Sequence, residues 1–139
     1  MAAMSRLFIK KIISEMIAHA RREAPIEACG IIAGKDGVAE KYYEMANTDK
    51  SDEHYLMDPE EQFKIMKVIR GLGLEILGIF HSHTKTPARP SKEDIRFAFT
   101  EDVVYLITSL METERPVTNG FIIEEGNITE VPVEVGEMP

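Results

Sequence analysis

The chain reads as an α/β protein, a mixed β-sheet with two or three helices layered on it. Three features predict this. An amphipathic helical pattern lies near the start. Two apolar runs, ILGIF within residues 75–83 and VVYLITS at 103–109, have the length and β-branched content of buried strands. Two turn signals, at 35–37 and 124–127, mark hairpins.

From residue 8 to 24, Ile9, Ile12, Ile13, Met16, Ile17 and Ala20 recur at three- and four-residue spacing. Lys10, Lys11, Glu15, Arg21 and Arg22 fall largely between them, which predicts an amphipathic helix limited by Pro25. CGIIAG at 29–34 is a strand, Lys35-Asp36-Gly37 a turn, and 38–45 its hairpin partner. Residues 47–54 are polar and predict a loop. Asp58-Pro59-Glu60-Glu61 combines an N-cap acid, proline at the first helical position and an acid three residues past the cap. That helix should run to about Gly71, with either Phe63, Met66 and Ile69 or Ile65, Val68 and Leu72 facing inward. A strand follows over 75–83, a short helix over 91–100 and a strand over 103–109. The tail holds strands at 121–123 and 128–135. No repeat, low-complexity segment or linker divides the chain, so residues 1–139 are expected to form one domain.

At 139 residues the chain can bury roughly two-thirds of the surface its unfolded form exposes, so a core needs no disulfide or structural metal. Its 44% apolar and 29% charged residues are those of a soluble globular protein. Sixteen basic and 24 acidic side chains leave a formal charge of −8, and no basic stripe is visible, which argues against a nucleic-acid partner. The single cysteine, Cys29, excludes an internal disulfide and fits a reducing compartment. The first 24 residues do not read as a signal peptide, because charges interrupt the apolar positions. No apolar run approaches the ~20 residues of a membrane span. A cytoplasmic protein that binds no membrane is expected.

The chemistry concentrates in GIFHSHTKTPARPSKED, residues 78–94. On a strand, residues i and i+2 share a face, so His81 and His83 present two imidazoles side by side while Ser82 faces away. Two such nitrogens and a carboxylate suit zinc, and loop 84–90 gives the chain room to bring Asp94 back as third ligand. Three protein ligands leave the fourth position to water, the catalytic form of a zinc site, in which water is acidified and a carbonyl polarised. The reaction then needs a carboxylate outside the ligand set to carry the proton. Glu27 is a candidate because it immediately precedes a buried strand, although spacing alone does not separate it from the chain's other acids.

Glu27, His81-Ser82-His83, Ser91 and Asp94 together match the JAMM signature of the MPN-plus metallopeptidases, E…H-[ST]-H-x7-S-x2-D. HARREAPIEACGIIAG, YLMDPEEQ, LEILGIFHSH and ARPSKEDI also resemble the short prokaryotic branch, so the likeness covers most of residues 18–109. The resemblance implies a curved mixed sheet flanked by helices with a cytidine-deaminase-like core. It implies one zinc ion per chain held by His81, His83 and Asp94, Glu27 as general acid and base, and Ser91 as stabiliser of the tetrahedral intermediate. It also implies cleavage of a peptide or isopeptide bond at the C-terminus of a ubiquitin-like sulfur-carrier protein with a Gly-Gly tail, in some relatives releasing cysteine. Many relatives carry proline after the second histidine, where this chain has Thr84. The chain lacks room for the large insertions with which eukaryotic relatives select ubiquitin linkages.

Simpler readings stand beside these. Ser91 to Asp94 is also a capping box. An isolated H-x-H is often no metal site, and Glu27 by itself reads as a surface acid. Cys29 reads as a small buried hydrophobe; His19 and His54 read as surface or interface residues. A zinc deaminase is excluded, since its P-C-x-x-C needs two cysteines. The alternatives in function are a non-catalytic scaffold for a ubiquitin-like partner and, disfavoured by charge, a nucleic-acid repair protein.

Overall fold

The computed structural model describes residues 7–136. The N-terminal segment read as no signal peptide begins outside them. In chain order the elements are β1 (Leu7–Ile9), α1 (Lys10–Glu23), β2 (Cys29–Lys35), β3 (Val38–Met45), α2 (Pro59–Gly71), β4 (Glu75–His83), α3 (Lys92–Arg96), β5 (Val104–Ser109), β6 (Val117–Glu124), β7 (Asn127–Val131) and β8 (Glu134–Gly136). The strands form one sheet in the order β7-β6-β5-β4-β2-β3-β1-β8. β4 runs parallel to β5, and β1 runs parallel to β3 and β8; the other neighbours are antiparallel.

The sheet is curved, and the chain shows why. β7 and β8 lie at opposite edges of the strand order, yet only Pro132 and Val133 separate them. At 3.8 Å between successive Cα atoms, Val131 and Glu134 are no more than about 11 Å apart, whereas eight flat strands would span about 34 Å. The sheet must roll until its edges approach.

Two cores fill its faces. On one, α1 buries Ile12, Met16 and Ala20 against Ile32, Leu77, Phe80 and Leu106. On the other, Ile69 of α2 joins Cys29, Ile31, Ile79, Ile107 and Phe121. The β2–β3 turn has φ of 52° at Asp36 and 80° at Gly37, the two positive values that a tight hairpin with right-handed strands requires. Register shifts beside Ala33 and Gly34 mark a bulge. A Cβ on Gly34 would lie 1.9 Å from the Val38 carbonyl oxygen, a backbone atom with little freedom to move. Gly34→Ala is therefore expected to destabilise the fold by about 1–3 kcal/mol, read as a lower denaturation midpoint.

Four expectations need correction. Residues 7–9 form strand rather than the start of the helix, because Phe8 is buried in the α1-side core and pairing with β3 and β8 outweighs local periodicity. Neither proposed inward stripe of α2 is wholly buried. Phe63, Met66, Val68 and Leu72 are exposed, and the helix meets the sheet along Ile65 and Ile69. The short helix after residue 91 stops at Arg96, and the chain beyond is anchored by Tyr105, whose hydroxyl accepts from the Thr100 N–H and donates to the Thr100 carbonyl. The tail strand expected over 128–135 is divided at Pro132, which has no N–H to give a ladder. Among the described residues, no helix is long and apolar enough to cross a membrane.

Candidate metal centre

The register of the sheet lays out the site. Cys29 on β2 lies opposite His81 on β4, His81 opposite Ile107 on β5, and Ile107 opposite Asn119 on β6. In the next row His83 lies opposite Ser109. Directly opposed residues share a face, so both histidines rise from the α2-side face. Loop 84–90 then turns the chain into α3. Ser91 caps that helix, its hydroxyl accepting from the Asp94 N–H at 3.0 Å while Asp94 Oδ2 accepts from the Ser91 N–H at 2.9 Å. The capping reading is correct, and the same cap aims Asp94 at the histidines.

His81 Nε2 lies 3.1 Å from His83 Nε2, and Asp94 Oδ2 lies 3.1 Å from the first and 3.0 Å from the second. Among the described residues these three form a group able to hold a metal ion. A carbonyl only accepts, so His83 Nδ1 donates to the Pro87 oxygen at 2.8 Å, which leaves Nε2 as the ring nitrogen that faces the centre and is available to a metal. His81 stacks on Tyr55, with ring centroids 4.7 Å apart, and its Nδ1 is buried without a partner.

Burial disfavours charge on His81 and lowers its pKa. It acts the same way on His83, but bonds to Asp94 and Pro87 outweigh it and raise that pKa. Burial would raise Asp94, yet hydrogen bonds with His81 and His83 hold it well below the usual carboxylate range.

Glu27 is no surface acid. Only 3% exposed, it has an oxygen with no hydrogen-bond partner and feels the charges of His83 and Asp94. Burial pushes its carboxyl up to about 8, against the pull of His83.

Two residues that sequence reasoning passed over hold Glu27 in place. Ser82, on the opposite face from the histidines, accepts the Ala28 N–H on its hydroxyl at 2.8 Å, and its own N–H donates to the Ala28 carbonyl. The middle position of H-[ST]-H, which requires a hydroxyl, was the available signal. Asn47, 7% exposed, donates to the carbonyls of Glu27 and His54 at 3.1 and 2.9 Å and accepts from the Asp49 and Leu56 N–H groups. Nothing local in a polar loop distinguishes such an asparagine. Asn47→Ala leaves these groups unpaired; we expect about 2–3 kcal/mol of destabilisation and faster amide exchange at Leu56.

The remaining candidates fall elsewhere. Cys29 is fully buried, and burial pushes its thiol up to about 12, as a packed hydrophobe requires. His19, read as a surface or interface residue, lies on the buried face of α1, with Nδ1 2.6 Å from the Tyr42 hydroxyl. Gly30 makes room for that tyrosine, since a Cβ there would lie 2.2 Å from its ring. His54 sits in loop 47–57, 2.9 Å from Asp49, outside the group around His81.

The chain is also similar to known proteins. The family of prokaryotic homologues of the JAB domain matches residues 10–119. The chain is 36% identical over 128 residues to the CysO-cysteine peptidase of Mycobacterium tuberculosis, covering 91% of this chain and 88% of that one. It is 31% identical over 132 residues to a desampylase of Pyrococcus furiosus, covering 94% and 91%. The solution structure of a protein from Desulfitobacterium hafniense superposes with a TM-score of 0.87 at 44% identity, covering 95% and 93%.

Proposed function

The chain belongs to the prokaryotic homologues of the JAB domain, the short branch of the JAMM/MPN group, and from that premise we propose that it is a single-domain, zinc-dependent hydrolase. It cleaves a peptide or isopeptide bond at the C-terminus of a ubiquitin-like sulfur-carrier protein.

The observation that carries this reading is the convergence of His81 Nε2, His83 Nε2 and Asp94 Oδ2 at 3.0–3.1 Å from one another. Ligands roughly 2.0–2.1 Å from a tetrahedral zinc lie about 3.3 Å apart, so these donors fit one ion with little rearrangement. Two imidazoles and one carboxylate also leave the fourth position open. Bound there, zinc supplies Lewis acidity that polarises a carbonyl and brings the pKa of water to about 7.

Glu27 then acts as general base and acid, taking the proton of the attacking water and delivering it to the leaving amine. Its burial suits both halves of that task, because a carboxyl near neutral both accepts and donates. Ser91 spends its oxygen lone pair on the helix cap, and its hydroxyl proton is left to donate to a developing oxyanion. A cleft of about 520 Å³, bounded by Tyr55, Met57, Phe97, Phe99 and Tyr105, reaches Asp94. Its largely apolar walls suit an extended chain such as the Gly-Gly tail of a carrier.

Purified protein should contain about one zinc per chain and shorten a carrier extended beyond its Gly-Gly end, as read by mass spectrometry, with loss of activity in chelator. Tightly bound zinc with no cleavage of any such carrier would sink the hydrolase. Carrier binding that is equally strong in chelator, without processing, would favour the scaffold.

A further inference from the structure

The loop between the two parts of the metal centre, residues 84–90, has neither helix nor strand, and Pro87 and Pro90 bring no N–H of their own. Three of its successive carbonyls are nevertheless each held by a side chain from a different strand. Ser109 on β5 donates to the Thr86 oxygen at 2.5 Å, His83 on β4 to the Pro87 oxygen at 2.8 Å, and Asn119 on β6 to the Ala88 oxygen at 3.0 Å. The sheet register makes this possible, because Ser109 lies directly opposite His83 and Asn119 lies in the row of His81. The Met111 N–H in turn donates to the Ser109 hydroxyl oxygen, fixing the hydroxyl's direction.

We propose that Ser109 and Asn119 are positioning residues for the metal-binding ring of His83. By fixing the carbonyls on either side of Pro87, they hold the Pro87 oxygen where it accepts the His83 Nδ1 proton and keeps Nε2 toward the centre. Neither residue belongs to the group of His81, His83 and Asp94 that could hold the ion. His81 has no comparable partner, since its Nδ1 is unbonded. Of the two ligand rings, His83 is the one whose second nitrogen is fixed from behind. The inference depends on the zinc reading for its consequence but not for its geometry.

The double variant S109A/N119A tests it in two ways. Outer contacts that orient a ligating histidine are worth about 10- to 100-fold in metal affinity, and a loss of that size is expected in competition with a chelator. Ser109→Thr, which keeps the hydroxyl, should stay near the wild type. The second readout needs no metal. In metal-free protein, the Arg89 N–H, which donates to the same Pro87 oxygen at 2.8 Å, should be protected from amide exchange in the wild type and exchange faster in the variant. Should the double variant fail to fold, Asn119→Asp fills the same volume without the N–H donor and should show both effects more weakly. Unchanged affinity and unchanged Arg89 amide exchange in a folded variant would overturn the proposal. A wild type that binds no zinc would sink the hydrolase reading instead, and the Arg89 amide exchange would still decide this one.

Discussion

Glu27→Gln is expected to lower carrier cleavage by about a thousandfold while the protein keeps its one zinc. Glutamine preserves the shape of the side chain but cannot accept a proton, and general acid–base groups contribute roughly 10²–10⁴ in rate. Activity within tenfold of the wild type would remove Glu27 from the role.

The same substitution has a signature in stability, best read in metal-free protein. The folded-state pKa of Glu27 is raised from 4.5 to about 8 by burial. Below 4.5 the folded and unfolded states both carry the proton, and burial of the neutral acid brings no charge penalty. Between about 4.5 and 8 unfolding releases a proton, so the Glu27 contribution falls as pH rises; above 8 the penalty for burying the carboxylate is complete. Glutamine does not titrate. The variant should therefore gain on the wild type across that window, by a few kcal/mol in order of magnitude. Parallel stability curves from pH 4.5 to 8 would contradict a buried, proton-holding Glu27.

Asp94→Asn should abolish zinc retention and cleavage together. Asparagine can still accept the Ser91 N–H, so the helix cap survives and the loss isolates the ligand. In the wild type, a site a thousandfold above its dissociation constant contributes about 4 kcal/mol, which corresponds to roughly 10–15 °C in a domain of this size. Chelator should lower the wild-type midpoint by that amount and leave Asp94→Asn unmoved. Full zinc occupancy in the variant would show that Asp94 is not a ligand.

Much of this was legible in the residues, and what was missed has a common cause. Asp36-Gly37, Asp58-Pro59 and the run ending at His83 carry signals within a few residues of one another, and the elements appear where those signals put them. His81, His83 and Asp94 were accessible for the same reason, since strand alternation and a helix cap are local. The partners of Glu27 were not. Its neighbours Ser51, Asn47 and, through Ala28, Ser82 come from pairings that no period records, so only the motif as a whole pointed to it. β1 and the exposed face of α2 were misread for a related reason: a three-residue strand exists only through its neighbours, and a helix at one part of a sheet buries only the stripe that part touches.

The division of the site between near and distant segments gives its two halves different closure costs. His83 and Asp94 are 11 residues apart, whereas the Ala28–Ser82 bond that positions the acid closes a separation of 54. By chain entropy alone the longer closure is disfavoured by about 1.4 kcal/mol, a factor of about ten. The ligand atoms therefore converge at a smaller entropic cost than the contact that positions the acid. The pairing of β2 and β4, the longer closure, is what sets Glu27 beside the ligand atoms.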